Sequence, residues 1–412
     1  MTPSLGLKQQ KENKMATQLI MIEQGSGAGV ASGKNVGKLV VGNLFPSTTA
    51  DGMNAVACDW SGNVYIADIA TNAIYKTTDG GDISLFAGLP NNDGFVNGTG
   101  TAARFNNPKG IACDKSGNVY VADTGNNRIR KIDPNGKVTT IAGGFSSPLD
   151  VAVAPNGDII VADTGNHRIY RVRAGGQTLL VAGSTIGNAS GNNGNVKIKG
   201  SAAKFNTPSS VTVDNSGNIY VADTGNYQIK IIHPDGWVKI FAGSTVGNVN
   251  GIASVAKFTS PTRVKVSRSG FLYIIDVVST YNRIKRIDPN GNVSTFGNMV
   301  KNELAYGLAV SPADKIYVVT SASGSEGHES SSSSSSSDSE SVSSVSSASS
   351  ASSMTQSSGS SASSVSSASS NNSASSASSV SSASSVSSKS SSSSMTQSSG
   401  SSSSSESPGA RP

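Results

Sequence analysis

The chain has 412 residues, with 32 Lys and Arg against 26 Asp and Glu. Two cysteines exclude a disulfide-built scaffold and a cysteine-rich metal module, and no run of apolar residues is long enough for a membrane-spanning helix. Before position 321 the balance is 30 basic to 21 acidic residues, and after it 2 to 5, so a net +6 combines a mildly basic domain (+9) with a weakly acidic tail (−3); that excess is too thin to mark a nucleic-acid binder.

Residues 1–16 form a polar arm with Lys8, Lys11 and Lys14 and no apolar stretch of the secretory-signal kind. Met15 offers a second possible start. Thr17 to Glu23 reads as a strand, and Gly37 to Asn43 as another. A unit then begins to recur. Gly117 to Ile129 reads Gly-Asn-Val-Tyr-Val-Ala-Asp-Thr-Gly-Asn-Asn-Arg-Ile, and near copies stand at 157–169 and 217–229. Looser copies occupy 62–74 and 270–284, and a truncated one begins at Asp314. Six copies at this spacing predict a repeat architecture.

Each unit predicts four strands. Phe105 to Asp114 supplies the first, and Val119 to Ala122, apolar on both faces, is a buried second. Asp123-Thr124-Gly125-Asn126 makes a turn, Arg128 to Ile132 alternates like a more exposed third strand, and Lys137 to Gly143 follows Pro134-Asn135-Gly136 as the fourth. Four antiparallel strands repeated six times predict an all-β, six-bladed β-propeller over 17–320. The last repeat offers only Leu304 to Ser311 and Lys315 to Thr320 before the sequence turns to serine. The expectation is therefore that 17–43 completes a sixth blade shared with 304–320, so that no sheet edge is left open. Residues 321–412 hold 55 Ser in 92, with a period of three over 362–389. This composition reads as a disordered or extended tail, with O-glycosylation and self-assembly through the period-three segment as its possible uses.

The pattern Phe-x-x-Pro…Asp-x-x-Gly-Asn-x-Tyr-Val-Ala-Asp-Thr-Gly-Asn-x-Arg-Ile…Pro-x-Gly…Ala-Gly resembles the NHL repeat family over roughly 17–320. The resemblance implies the propeller fold and leaves the activity open, since propellers host enzymes, RNA readers and protein-binding scaffolds. Some six-bladed relatives are lyases that hold zinc with three histidines in the central channel. Here His167 falls in a turn on one face, His233 in a turn on the other, and His328 in the tail. No metal, cofactor or catalytic residue is therefore expected.

Asp68, Asp123, Asp163, Asp223 and Asp276 recur at one slot and read as structural turn caps rather than an acidic ring. Arg128, Arg168 and Arg283 sit at the family's own arginine position, where a structural contact is expected. Cys58 and Cys113 share a slot held elsewhere by valine and read as buried apolar residues, not as a disulfide. Three links between repeats are long and rich in Gly and Asn: 89–103, 184–203 and 244–256. Strand order puts them on one face with the Asp-Thr-Gly-Asn turns, and this face is the candidate binding surface. Its candidate residues are Asn92, Asp93, Asn126, Asn127, Asn166, His167, Asn188, Asn192, Asn226 and Tyr227. The leading reading is a non-enzymatic display or adhesion scaffold binding a protein or glycan, on a virion, an extracellular fibre or a cell surface. An intracellular protein- or RNA-binding propeller, with a cytoplasmic location, is the alternative, and a lyase-like enzyme the third. Nucleic acid is disfavoured because the basic residues, Arg128, Arg130 and Lys131 among them, are spread thinly with few aromatics for base stacking.

Overall fold

A computed structural model describes residues 16–23, 37–46, 55–78, 83–188, 198–278, 282–298 and 304–322. The chain separates into two units, Met1–Ser331 and Ser332–Pro412. The second lies wholly outside the described residues, as do the arm before Ala16, Asn192 and His328, so the expectations attached to the tail lie there too.

The described strands form six antiparallel sheets. Sheet 1 runs Ala55–Cys58, Asn63–Asp68, Ala73–Thr78, Ser84–Ala87. Sheet 2 runs Pro108–Cys113, Val119–Asp123, Arg128–Ile132, Lys137–Gly143. Sheet 3 runs Pro148–Val153, Ile159–Asp163, Arg168–Val172, Thr178–Ala182. Sheet 4 runs Pro208–Val213, Ile219–Asp223, Gln228–Ile232, Trp237–Ala242. Sheet 5 runs Pro261–Val266, Leu272–Val277, Asn282–Ile287, Asn292–Asn298. These five are each cut from one continuous stretch. Sheet 6 is composite: Leu304–Val310 and Ile316–Ala322 are followed in the sheet by Ala16–Glu23 and then Gly37–Pro46. Leu19 faces Val319 and Met21 faces Tyr317 across that junction, and both Leu19 and Met21 are buried.

The second strands are buried from end to end, as in Val119–Asp123, Ile159–Asp163 and Ile219–Asp223. A strand covered on both faces must be apolar throughout, which is why Val-Tyr-Val-Ala and Ile-Ile-Val-Ala stand there rather than an alternation. The core is a series of layers between neighbouring sheets; Phe105, Ile111, Val119 and Val121 of sheet 2 pack with Tyr65, Ala67 and Ile74 of sheet 1. First strands of successive sheets lie side by side, sheet 1 beside sheets 2 and 6, and they line a central channel. A Cβ on Gly110 would sit 2.5 Å from the Cα of Asp150, so glycine is what lets the first strands of sheets 2 and 3 close up there. The result is an all-β propeller.

The third strand departs from the expected alternation. Arg128–Ile132 is largely covered, and Arg130 is fully buried, because a long link folds back over it. In sheets 2, 4 and 5 that link also adds a two-residue strand, Gly98–Thr99, Ile198–Lys199 or Gly251–Ile252, to the outermost strand.

Candidate functional site

Antiparallel order puts the strand two–three turns and the links between sheets at one end of the ring, here the loop face. Strand one–two and three–four turns lie at the other.

On the loop face, Asp-Thr-Gly-Asn folds the same way each time. Thr124–Asn126, Thr164–Asn166 and Thr224–Asn226 are single 3-10 turns, followed by Asn127, His167 and Tyr227 in the left-handed region at φ 54°, 55° and 60°. Each aspartate stitches this turn to the start of its own sheet. Oδ1 of Asp123 accepts the Asn106 amide at 2.8 Å, that of Asp163 the Ser146 amide at 2.6 Å, and that of Asp223 the Asn206 amide at 2.7 Å. Oδ2 accepts the side-chain amides of Asn126, Asn166 and Asn226 at 2.9, 2.7 and 2.7 Å. Asp276 accepts the Thr259 and Ser260 amides, while Asp68 holds its own turn through the Ala70 amide and the Thr71 hydroxyl. Burial pushes all five carboxyls above the usual aspartate range, and these hydrogen bonds act in the opposite direction.

Several of the candidate binding residues are therefore occupied inside the fold. Asn126 and Asn226 also donate to the Gly94 and Gly187 carbonyls. Asn127 Oδ1 accepts the Ser147 amide of the next sheet, and His167 Nδ1 accepts that of Thr207. Asn72 plays the same part toward Asn107. Asn92 accepts from Arg104 Nε at 3.2 Å. Tyr227, half-exposed, presents its ring to solvent. Asp93 and Asn188 lie on the long links, on the same face.

Three buried cations anchor those links. Arg130 donates to Asp123, to the Arg104 and Val96 carbonyls and to Asn97. Lys230 pairs with Asp223 at 2.7 Å and donates to the Lys204 carbonyl. Lys285 donates to the Lys257 and Val249 carbonyls; burial draws its ammonium down to about 8, with the Asp276 carboxylate pulling upward. Each cation also lies about 5 Å from a phenylalanine ring, Phe105, Phe205 or Phe258. Sheet 3 follows the short link 144–147, and the same register position holds Tyr170, packed edge-on to Phe145. The pairing of a long link with a buried cation was not expected from the sequence. Its signal is the third-strand series Arg130, Tyr170, Lys230, Lys285, read beside the length of the preceding link. Arg130 must also be struck from the surface charge, since it is buried.

So anchored, the links expose large apolar side chains: Phe95 (50%), Ile186 (58%), Val246 (55%) and Ile252 (58%), with Val96, Val249 and Val255 beside them. The Gly-Asn composition of these links hides an apolar fringe.

The opposite face opens into a cavity of about 500 Å³ at the channel mouth, lined by the first strands of all six sheets. Cys58 and Cys113 are on its wall, half-buried, with Val153, Val213, Val266 and Val310 at the same slot. The expected buried position is thus a channel-facing one, because it is the last residue of each inner strand. One level deeper the register aligns Ala57, Ala112, Ala152 and Ala309 with Thr212 and Lys265. Lys265 Nζ meets Asp150 Oδ2 at 3.0 Å, and the same oxygen accepts from Ser210 Oγ and the Val211 amide. Arg263 is 5% exposed close by, its described hydrogen bond a 3.4 Å contact to the Thr262 carbonyl. At the mouth Trp60, 47% exposed, has the Lys115 ammonium 5.3 Å and the Arg268 guanidinium 5.1 Å from its ring centroid.

His167 and His233 lie on opposite faces, and His233 Nδ1 is 3.0 Å from Asn218 Oδ1. Among the described residues, no group of three or more His, Cys, Asp or Glu is placed to hold a metal ion.

Residues 105–132, 145–170 and 205–232 match the sequence profile of the NHL repeat. Teneurin-3 of Mus musculus is 36% identical over 109 residues, 23% of this chain and 4% of the relative. NHL repeat-containing protein 2 of Gallus gallus is 43% identical over 90 residues, 21% of this chain and 12% of the relative. The chain thus spans only a small part of the length of these relatives. Among solved structures, the nidogen/laminin complex aligns with a TM-score of 0.48 at 17% identity, covering 68% of this chain and 93% of that one. A streptogramin B lyase aligns at 0.43 and 12%, covering 76% and 100%. The matched segments are the repeats that build sheets 2, 3 and 4, and the chain accordingly carries NHL repeats within an all-β propeller.

Proposed function

We propose that this chain is a non-catalytic binding scaffold of the adhesion kind, which presents its loop face to a protein partner on an extracellular or particle surface. One observation carries the reading: Phe95, Ile186 and Val246 are half or more exposed, and all stand where the links cross a single face. Clustered apolar side chains on an otherwise polar surface mark a protein interface more often than a sugar or phosphate site. The links are held by buried cations, so the face is organised before a partner arrives and loses little entropy on binding. For that face to be continuous, we infer, the composite sheet closes the ring as a sixth blade.

The test is surface binding of the full chain to a panel of extracellular-matrix proteins and to cells, with a Phe95→Ser/Ile186→Ser/Val246→Ser variant alongside. Unchanged melting with binding weakened about tenfold or more is the expected result. Undiminished binding by the variant would contradict the loop face. Tight, salt-sensitive binding of single-stranded RNA instead would favour the nucleic-acid alternative.

A further inference from the structure

The cavity at the opposite channel mouth is not used by the loop-face reading, and its chemistry is specific. Its wall is trimmed to alanine at four of six positions on one level, around a cavity of about 500 Å³. Of the charged groups at the deep end only Lys265 lines the cavity; the others lie behind it, where negative charge is short. Lys265 and the buried Arg263 bring two cations to the single carboxylate of Asp150, which is already engaged by Ser210 and the Val211 amide. Lys109 faces Arg263 from the opposite first strand; burial first, and then the Arg263 charge, hold its ammonium below the ordinary lysine range. Clustered cations, one buried and two partly so, that share one counter-charge are costly unless another anion joins them. At the outer end Trp60 is half-exposed, with the Lys115 ammonium and the Arg268 guanidinium each about 5 Å from its ring centroid, and its exposed edge offers an apolar contact.

We propose that this cavity binds a small organic monoanion, its anionic group at Lys265 and its flat apolar body running along the alanine wall to Trp60. One such charge offsets the excess of Lys265 and Arg263 over Asp150, and leaves Lys109 as the single positive charge over. The site lies on the face opposite the long links and does not rest on the adhesion reading.

Titrating the full chain with 2-naphthoate, and with neutral 2-naphthamide as the control, tests this by calorimetry and tryptophan fluorescence. Saturable 1:1 binding of naphthoate is expected, with the amide about tenfold weaker or worse. Trp60→Leu should abolish the fluorescence change and weaken binding without altering the melting temperature. Lys265→Met removes the anion's partner; since it strands Asp150, the Asp150→Asn/Lys265→Met double variant is measured beside it. Either should lose about tenfold in affinity. No saturable binding, equal affinity for the amide, or a double variant that binds like the parent would overturn the proposal.

Discussion

Asp123 receives an amide hydrogen bond from Asn106, another from Asn126 in its own turn, and the charge of Arg130, both ions being wholly buried. Breaking a buried pair from one side leaves an uncompensated charge, so Arg130→Met should cost about 3–5 kcal/mol in urea unfolding. The Asp123→Asn/Arg130→Met double variant should recover a good part of that loss. An unaffected single variant would mean that the pair and the link above it contribute nothing. Asp68 is the contrasting case, buried without a described ion pair, and burial raises its carboxyl. A raised folded-state value contributes stability that is complete below the unfolded aspartate range, near about 4, and is lost as pH rises through the folded value. Asp68→Asn removes this dependence. Relative to the parent, the variant should gain stability between pH 4 and pH 7, and a difference that is flat with pH would contradict the assignment.

Between elements, one threonine in each of sheets 2, 3 and 4 fastens its sheet to the next. Thr124 Oγ1 donates to the Pro148 carbonyl at 2.7 Å, and Thr164 and Thr224 donate to those of Pro208 and Pro261 at 2.6 Å. Each Thr→Val change keeps the shape and strands a carbonyl, so each should cost about 1–2 kcal/mol, measured by denaturant midpoint. A triple variant as stable as the parent would show that these bonds do not hold the sheets together. The strands themselves were legible because Val-Tyr-Val-Ala and its copies can only be doubly covered strands. The partners of Asn127 and His167 were not legible, because each side chain serves a backbone amide on the next sheet, 20 and 40 residues away. Arg130 was misjudged for a related reason. Alternation along its own strand says nothing of a link folding over it from residue 96. The cavity was hidden too, since its alanine level emerges only once six first strands are set in register.

At the scale of the whole molecule, a continuous loop face depends on the ends of the chain meeting. Five sheets come from continuous repeats, and the sixth borrows two strands from residues 16–46. Without that loan, Ile316–Ala322 would present an unpaired edge. The pairing aligns Gln18 with Thr320. The most direct measurement places cysteines there, Gln18→Cys and Thr320→Cys, in a chain whose Cys58 and Cys113 are replaced by the valine found in the equivalent slots. If the ends share one sheet, mild oxidation should link the two peptides in mass spectra and raise the melting temperature, because the bridge restrains the unfolded chain across some 300 residues. Failure to form the link in the folded chain, or a link that lowers the melting temperature, would contradict the closed ring and with it the continuous loop face.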